Sequence, residues 1–127
     1  MVDALKILSI AGSDNTSGAG IQADIKTSQY LDIYCLSVVT AITSQNSEKI
    51  LKVFTIPENI LASQLKITLQ EYKVDAVKVG LVNNLATAEM LKILEQANLN
   101  SCTEILELER LENRLLNNLQ IIIIKTN

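Results

Sequence analysis

The chain has 127 residues, 48% of them apolar, with a formal net charge of −3 and no histidine. This is enough for one modest domain with a core. It excludes Ser-His-Asp and Cys-His catalysis and the usual zinc sites. With no Lys/Arg cluster, nucleic acid and anionic membrane surfaces are poor partners, and no uncharged apolar run reaches the ~18 residues of a membrane span.

Asp3 and Lys6 interrupt the start, and Ile7 to Ala11 is too short for the apolar centre of a secretory signal. Cys35 and Cys102 stand far apart and in no metal-ligand spacing. They read as two reduced thiols of a cytoplasmic protein.

Lys6 to Ala11 reads as a buried strand ending at the turn-forming run Gly12 to Gly18. A helix follows over Ala19 to Leu31, with Ile21, Ile25 and Leu31 as its apolar positions and Asp32 breaking the pattern. Tyr34 to Ile42, rich in β-branched residues, reads as a second strand. Ser44 to Glu48 is a polar turn, and Leu51 to Ile56 is a third extended segment. Pro57 suits the first position of a helix, where a missing N–H costs nothing. That helix runs to Tyr72, with Ile60, Leu61, Leu65 and Leu69 on one face.

Val74 to Val79 is a further strand, ending at Gly80. Asn83 or Asn84 caps a helix over Leu85 to Ala97, with a stripe of Leu85, Met90, Leu91 and Leu94. From Ser101 the texture changes, with neither Gly nor Pro. Ser101 with Glu104 forms a capping box. Ile105, Leu108, Leu111, Leu115 and Leu119 make a helical stripe, and Gln120 to Lys125 reads as a last buried strand.

Strands alternating with helices predict an α/β layered sheet with parallel pairing and right-handed crossovers. Ligands of such sheets sit beyond the carboxyl ends of the strands. Gly12 to Gly20, Thr43 to Asn46 and Gly80 to Asn84 all follow strand ends, so three candidate site loops fall on one sheet edge.

Within these loops Gly12, Gly18 and Gly20 allow positive φ and close backbone approach to a ligand. A plain tight turn fits the same spacing, which matches neither a P-loop nor a dinucleotide fingerprint. Asp24, one turn into the helix, faces the loop or solvent. Gln45 offers an amide donor and acceptor suited to a heterocycle edge, or is half of an ordinary turn pair with Asn46.

The wording Ile10-Ala-Gly-Ser-Asp14, with Ser17-Gly-Ala-Gly-Ile-Gln-Ala-Asp-Ile-Lys-Thr27, closely resembles the opening of hydroxymethylpyrimidine/phosphomethylpyrimidine kinases. Thr40 to Asn46 resembles their second block and Val77-Lys-Val-Gly80 their third. The resemblance covers roughly the first hundred residues. It implies a ribokinase-like three-layer α/β/α fold with a mostly parallel sheet, present as an incomplete N-terminal portion. On this reading residues 1–100 are the substrate-binding part, and 101–127 are a divergent tail in place of the ATP-binding and catalytic half.

The family phosphorylates 4-amino-5-hydroxymethyl-2-methylpyrimidine and its monophosphate in thiamine biosynthesis, with ATP and Mg as expected cofactors. The resemblance puts Gln45 against the aminopyrimidine ring, Asp24 at the acidic position of the same pocket, and Gly12 along it through backbone. It assigns no catalytic residue and no metal ligand to this chain. Ser17 stands where the family usually has the first glycine of a Gly-Gly pair. If that position needs positive φ, serine costs roughly 1 kcal/mol or more there.

The expectation is a pyrimidine-kinase family member, truncated, with impaired or no catalysis. The alternatives are an inactive substrate-binding module completed by a partner, as a homodimer or with a complementing chain, and a pyridoxal-kinase-like vitamin kinase fragment.

Overall fold

The computed structural model describes residues 4–80 and the strand at 121–124. The order of elements is β1 (Lys6–Ser13), α1 (Gly20–Tyr30), β2 (Tyr34–Gln45), β3 (Ile50–Thr55), α2 (Glu58–Glu71), β4 (Ala76–Val79) and β5 (Ile121–Ile124). They form one five-stranded sheet in the order β3-β2-β1-β4-β5. The expected helix at Leu85 to Ala97, its Asn caps, the tail stripe and Cys102 lie outside the described residues. Among the described residues no helix is long and apolar enough to cross a membrane.

The centre of the sheet is parallel: β1 pairs with β2 on one side and β4 on the other. Both outer pairings are antiparallel. For β3 the reason is chain length. Only Asn46 to Lys49 separate it from β2, far short of the dozen or so residues that a parallel crossover needs. Asn46 closes the turn by accepting from the N–H groups of Glu48 and Lys49. Strand β2 thus runs past Ile42 to Gln45, and Ser44 and Gln45, expected in a turn, are ladder residues. The fold class stands as expected, with antiparallel edges added to its parallel centre.

The chain leaves β1 for β2 in one direction across the sheet and β2 for β4 in the other. Right-handed crossovers therefore put α1 and α2 on opposite faces. The register sorts the strand residues to match. Leu8 lies beside Val77, and Ile10 beside Val38 and Val79. These five, with Leu61 and Leu65 of α2, are all under 2% exposed and form the dry core. Pro57 precedes the first helical residue instead of occupying it. Gln64 of α2 bonds the N–H and C=O of Val39 at 3.0 and 2.9 Å. That position lies just before the β3 pairing begins at Ala41, so the amide satisfies a backbone edge that no strand covers.

The other face is more polar. Of the apolar stripe expected on α1, Ile21 is buried, whereas Ile25 and Leu31 are exposed. The inward side of this helix carries Ser28 and Asp24 instead, because the strands beneath present Ser9 and Lys78. Asp32 ends the helix in the left-handed region, with φ 57°.

Candidate functional site

The loop after β1 is organised by Asp14, a buried carboxylate. Its Oδ1 accepts from the Thr16 N–H at 2.9 Å and the Thr16 hydroxyl at 2.7 Å. Its Oδ2 accepts from the Ala19 N–H at 2.9 Å, and its carbonyl accepts from the Ser17 N–H. The Thr16 hydroxyl, followed by backbone N–H groups, holds the Asp14 carboxyl below the usual carboxylate range, against a smaller opposing effect of burial. Gln22 completes the loop. Its Oε1 accepts from the Asp14 N–H, and its Nε2 donates to Ser13 Oγ.

Two residues of this loop have positive φ where the chain turns into α1: Ser17 at 64° and Gly20 at 63°. The expected strain at Ser17 is therefore present. Gly20 has a second constraint, since a Cβ there would stand 2.3 Å from the Gly12 carbonyl oxygen. Only glycine lets the start of α1 approach the end of β1 this closely.

The end of β2 is tied to this loop. Thr43 Oγ1 donates to the Ser13 carbonyl at 2.7 Å and accepts from Gln45 Nε2 at 2.8 Å. The Asn15 side chain bonds both the N–H and the C=O of Gln45, at 2.8 and 2.9 Å. The amide of Gln45 is thereby held in place by its backbone and by its own nitrogen.

Between these loops and the end of β4 lies a cavity of about 210 Å³. Gly12, Ser13, Gly20, Thr43, Gln45, Lys78 and Gly80 all contribute to its wall. The three strand-end loops named from sequence meet here, Gly80 being the described part of the third. The volume falls below the ~300 Å³ at which drug-sized pockets begin and suits a single small ring. A second hollow of about 360 Å³ adjoins Gln45 on its other side, with Asn46, Lys49 and Leu51. A larger concavity, about 650 Å³, runs along the outer face of α2 and includes none of the candidate site residues.

Gly12 and Gln45 thus line one cavity. Asp24 sits behind it. Its carboxylate accepts from Ser9 Oγ at 2.6 Å and from Lys78 Nζ at 2.8 and 2.7 Å. Lys78, not Asp24, reaches the cavity wall. The sequence reading did not single out Lys78, Asn15, Gln22 or Thr43. A signal for Lys78 existed: a lone lysine inside Val77-Lys-Val79, on a strand otherwise apolar.

The expected metal finds no holder here. Among the described residues no three His, Cys, Asp or Glu side chains cluster to bind an ion. Both carboxylates near the cavity have all their oxygens engaged by protein donors. The described residues do not fit Mg. The Cys35 thiol is free and is pushed up by burial, which keeps it protonated.

Residues 14–105 match the model of the phosphomethylpyrimidine kinase family. A hydroxymethylpyrimidine/phosphomethylpyrimidine kinase of Aquifex aeolicus is 40% identical over 84 residues, which are 66% of this chain and 33% of that protein. The crystal structure of the phosphomethylpyrimidine kinase from Clostridium difficile superimposes with a TM-score of 0.71 at 37% identity, over 74% of this chain and 41% of that one. The pyridoxal kinase from Staphylococcus aureus in complex with pyridoxal gives 0.68 at 34% identity, over 76% and 37%. The chain spans a third or less of the length of curated relatives that it matches. The fold is common to both kinds of kinase, and the family model, matched over most of the sequence, decides between them: the chain belongs to the phosphomethylpyrimidine kinase family.

Proposed function

We propose that the cavity binds the aminopyrimidine ring of 4-amino-5-hydroxymethyl-2-methylpyrimidine. The chain would then supply the substrate side of an ATP-dependent pyrimidine phosphorylation in thiamine biosynthesis. The observation that carries this reading is the restrained amide of Gln45. It opens onto a ring-sized cavity floored by Gly12 and Gly20, where backbone comes close to a ligand. An amide offers a donor and an acceptor together, which matches an amino group beside a ring nitrogen. Asn15 and Thr43 hold that amide in advance, so little ordering is left for the ligand to impose.

ATP and Mg enter this reading as the family's cofactors, and the described residues contribute no site to them. The same reading places the protein in the cytoplasm, where a free thiol such as Cys35 persists.

A thermal melt of the purified chain tests the proposal. The pyrimidine at about a hundred times its Kd stabilises the folded state by ~2.7 kcal/mol, which raises Tm by several degrees. Pyridoxine at the same concentration leaves Tm unchanged, and Gln45→Leu abolishes the pyrimidine shift. No shift with the pyrimidine refutes the reading. A shift with pyridoxine alone transfers the site to the pyridoxal-type kinases.

A further inference from the structure

We infer that Lys78 is a second recognition residue of this pocket, donating a hydrogen bond to a lone pair of the bound ring, and that Asp24 is the residue that positions it. The inference rests on the pyrimidine-binding reading above and extends it to a contact on the opposite side of the cavity.

Ser9 and Lys78 are direct register partners on β1 and β4, and both project to the α1 face, where Asp24 meets them. The Lys78 side chain is only 8% exposed. An ammonium has three N–H donors. Two are engaged by the Asp24 oxygens, and among the described residues the third has no acceptor. The same side chain lines the cavity. Gly80 lies beside it, a Cβ there meeting Lys78 Nζ at an ordinary contact distance of 3.6 Å and pressing on the Ala11 side chain at 3.0 Å.

A buried ion pair gives a fold little stability, because removing two charges from water offsets most of their attraction, and apolar replacements often do as well. What the pair does provide is a fixed donor of known direction. Ser9 and both ammonium hydrogens clamp the Asp24 carboxylate, and Asp24 in turn fixes the Lys78 head. Since β1 lies between β2 and β4 in the sheet, Gln45 and Lys78 approach the cavity from opposite sides of β1. A ring read along one edge by the Gln45 amide therefore turns its other lone pairs toward Lys78. On the aminopyrimidine these belong to the ring nitrogen opposite the amino-bearing carbon and to the hydroxymethyl oxygen.

The test is a binding cycle by calorimetry. It uses the wild type, Asp24→Asn, and the double variant Lys78→Met with Asp24→Asn, which leaves no unpaired buried charge. The ligands are the parent pyrimidine, 4-amino-2,5-dimethylpyrimidine, which lacks the hydroxyl, and 2-amino-3-hydroxymethyl-6-methylpyridine, which lacks that ring nitrogen. Asp24→Asn keeps the cation and weakens the parent ligand only a few-fold. The double variant weakens it roughly tenfold to a hundredfold, the range for a hydrogen bond from a charged donor. Against one of the two analogues that loss shrinks to a few-fold, and the analogue identifies the atom.

Equal losses for all three ligands, or a double variant that binds like Asp24→Asn, overturn the inference. If the double variant does not fold, the Nζ resonance of Lys78 in the ¹⁵N-lysine-labelled wild type decides. It shifts with the parent ligand and not with the analogue lacking the acceptor, and no shift with the parent overturns the inference. A wild type that binds no pyrimidine defeats the functional reading and this inference together. Binding that survives loss of Lys78 defeats this inference alone.

Discussion

The two faces of the sheet use the same strands for different ends. Toward α2 the strands present Leu8, Ile10, Val38, Val77 and Val79, and the contact is dry and fully enclosed. Toward α1 they present Ser9 and Lys78, met by Asp24, and the layer opens at its carboxyl end into the cavity. The first face maximises burial of apolar area. The second gives up apolar contact to hold polar atoms in fixed directions. Stability and recognition are therefore separable in this molecule, and substitutions on the two faces should move different observables.

The largest expected effect lies on the dry face. Leu65 is fully buried, and Leu65→Ala should lower unfolding free energy by about 2–5 kcal/mol, the range for a leucine truncation that leaves a cavity. Urea unfolding measures it. Pyrimidine affinity of the folded fraction should stay within about twofold. A larger loss of affinity would show that the two faces are coupled through the strands.

The complement lies at Gly20. With φ 63° and the Gly12 carbonyl in the way, Gly20→Ala must displace backbone on the cavity floor. A strained backbone of this kind costs about 1–3 kcal/mol, less than the core truncation. Here affinity for the pyrimidine should fall by more than tenfold, because the cavity itself changes shape. If Gly20→Ala binds like the parent in calorimetry, the cavity is not the site.

The same contrast explains what the sequence disclosed. The dry face was legible because buried strands read as short apolar runs: Lys6 to Ala11 falls two residues short of the end of β1, and Val74 to Val79 starts two residues ahead of β4. That the loops carrying Gly12 and Gln45 share one sheet edge followed from strand ends, whereas a common pocket for the two residues was what the family resemblance implied. The pairing direction of β3 was not foreseen, because it is set by the brevity of Asn46 to Lys49 and not by any feature of the strand itself. The setting of Asp24 was also out of reach. Its partner Lys78 is 54 positions away in sequence, and only the register of β1 on β4 brings Ser9, Asp24 and Lys78 together. The Asn15 clip on Gln45 spans 30 positions and was hidden for the same reason. Local spacing reveals which residues end strands. It does not reveal which polar groups will meet once two strands lie side by side.

The smallest expected effect sharpens the comparison at Ser17, a residue of the recognition face that departs from the family's usual glycine. Its φ of 64° lies in the left-handed region, where an L-residue with a Cβ gives up roughly 1–2 kcal/mol. Ser17→Gly removes that strain and keeps the N–H that bonds the Asp14 carbonyl at 2.9 Å. Against the gain stands the greater freedom of glycine in the unfolded chain, worth about 0.4–1 kcal/mol. The two partly cancel, so urea unfolding should show a stabilisation of at most ~1.6 kcal/mol, with pyrimidine affinity unchanged. A gain well above that figure would mean that the Asp14 loop stores more strain than one residue carries. A loss would mean that the serine side chain supports the loop, and that its presence is an adaptation of this chain and not a tolerated defect.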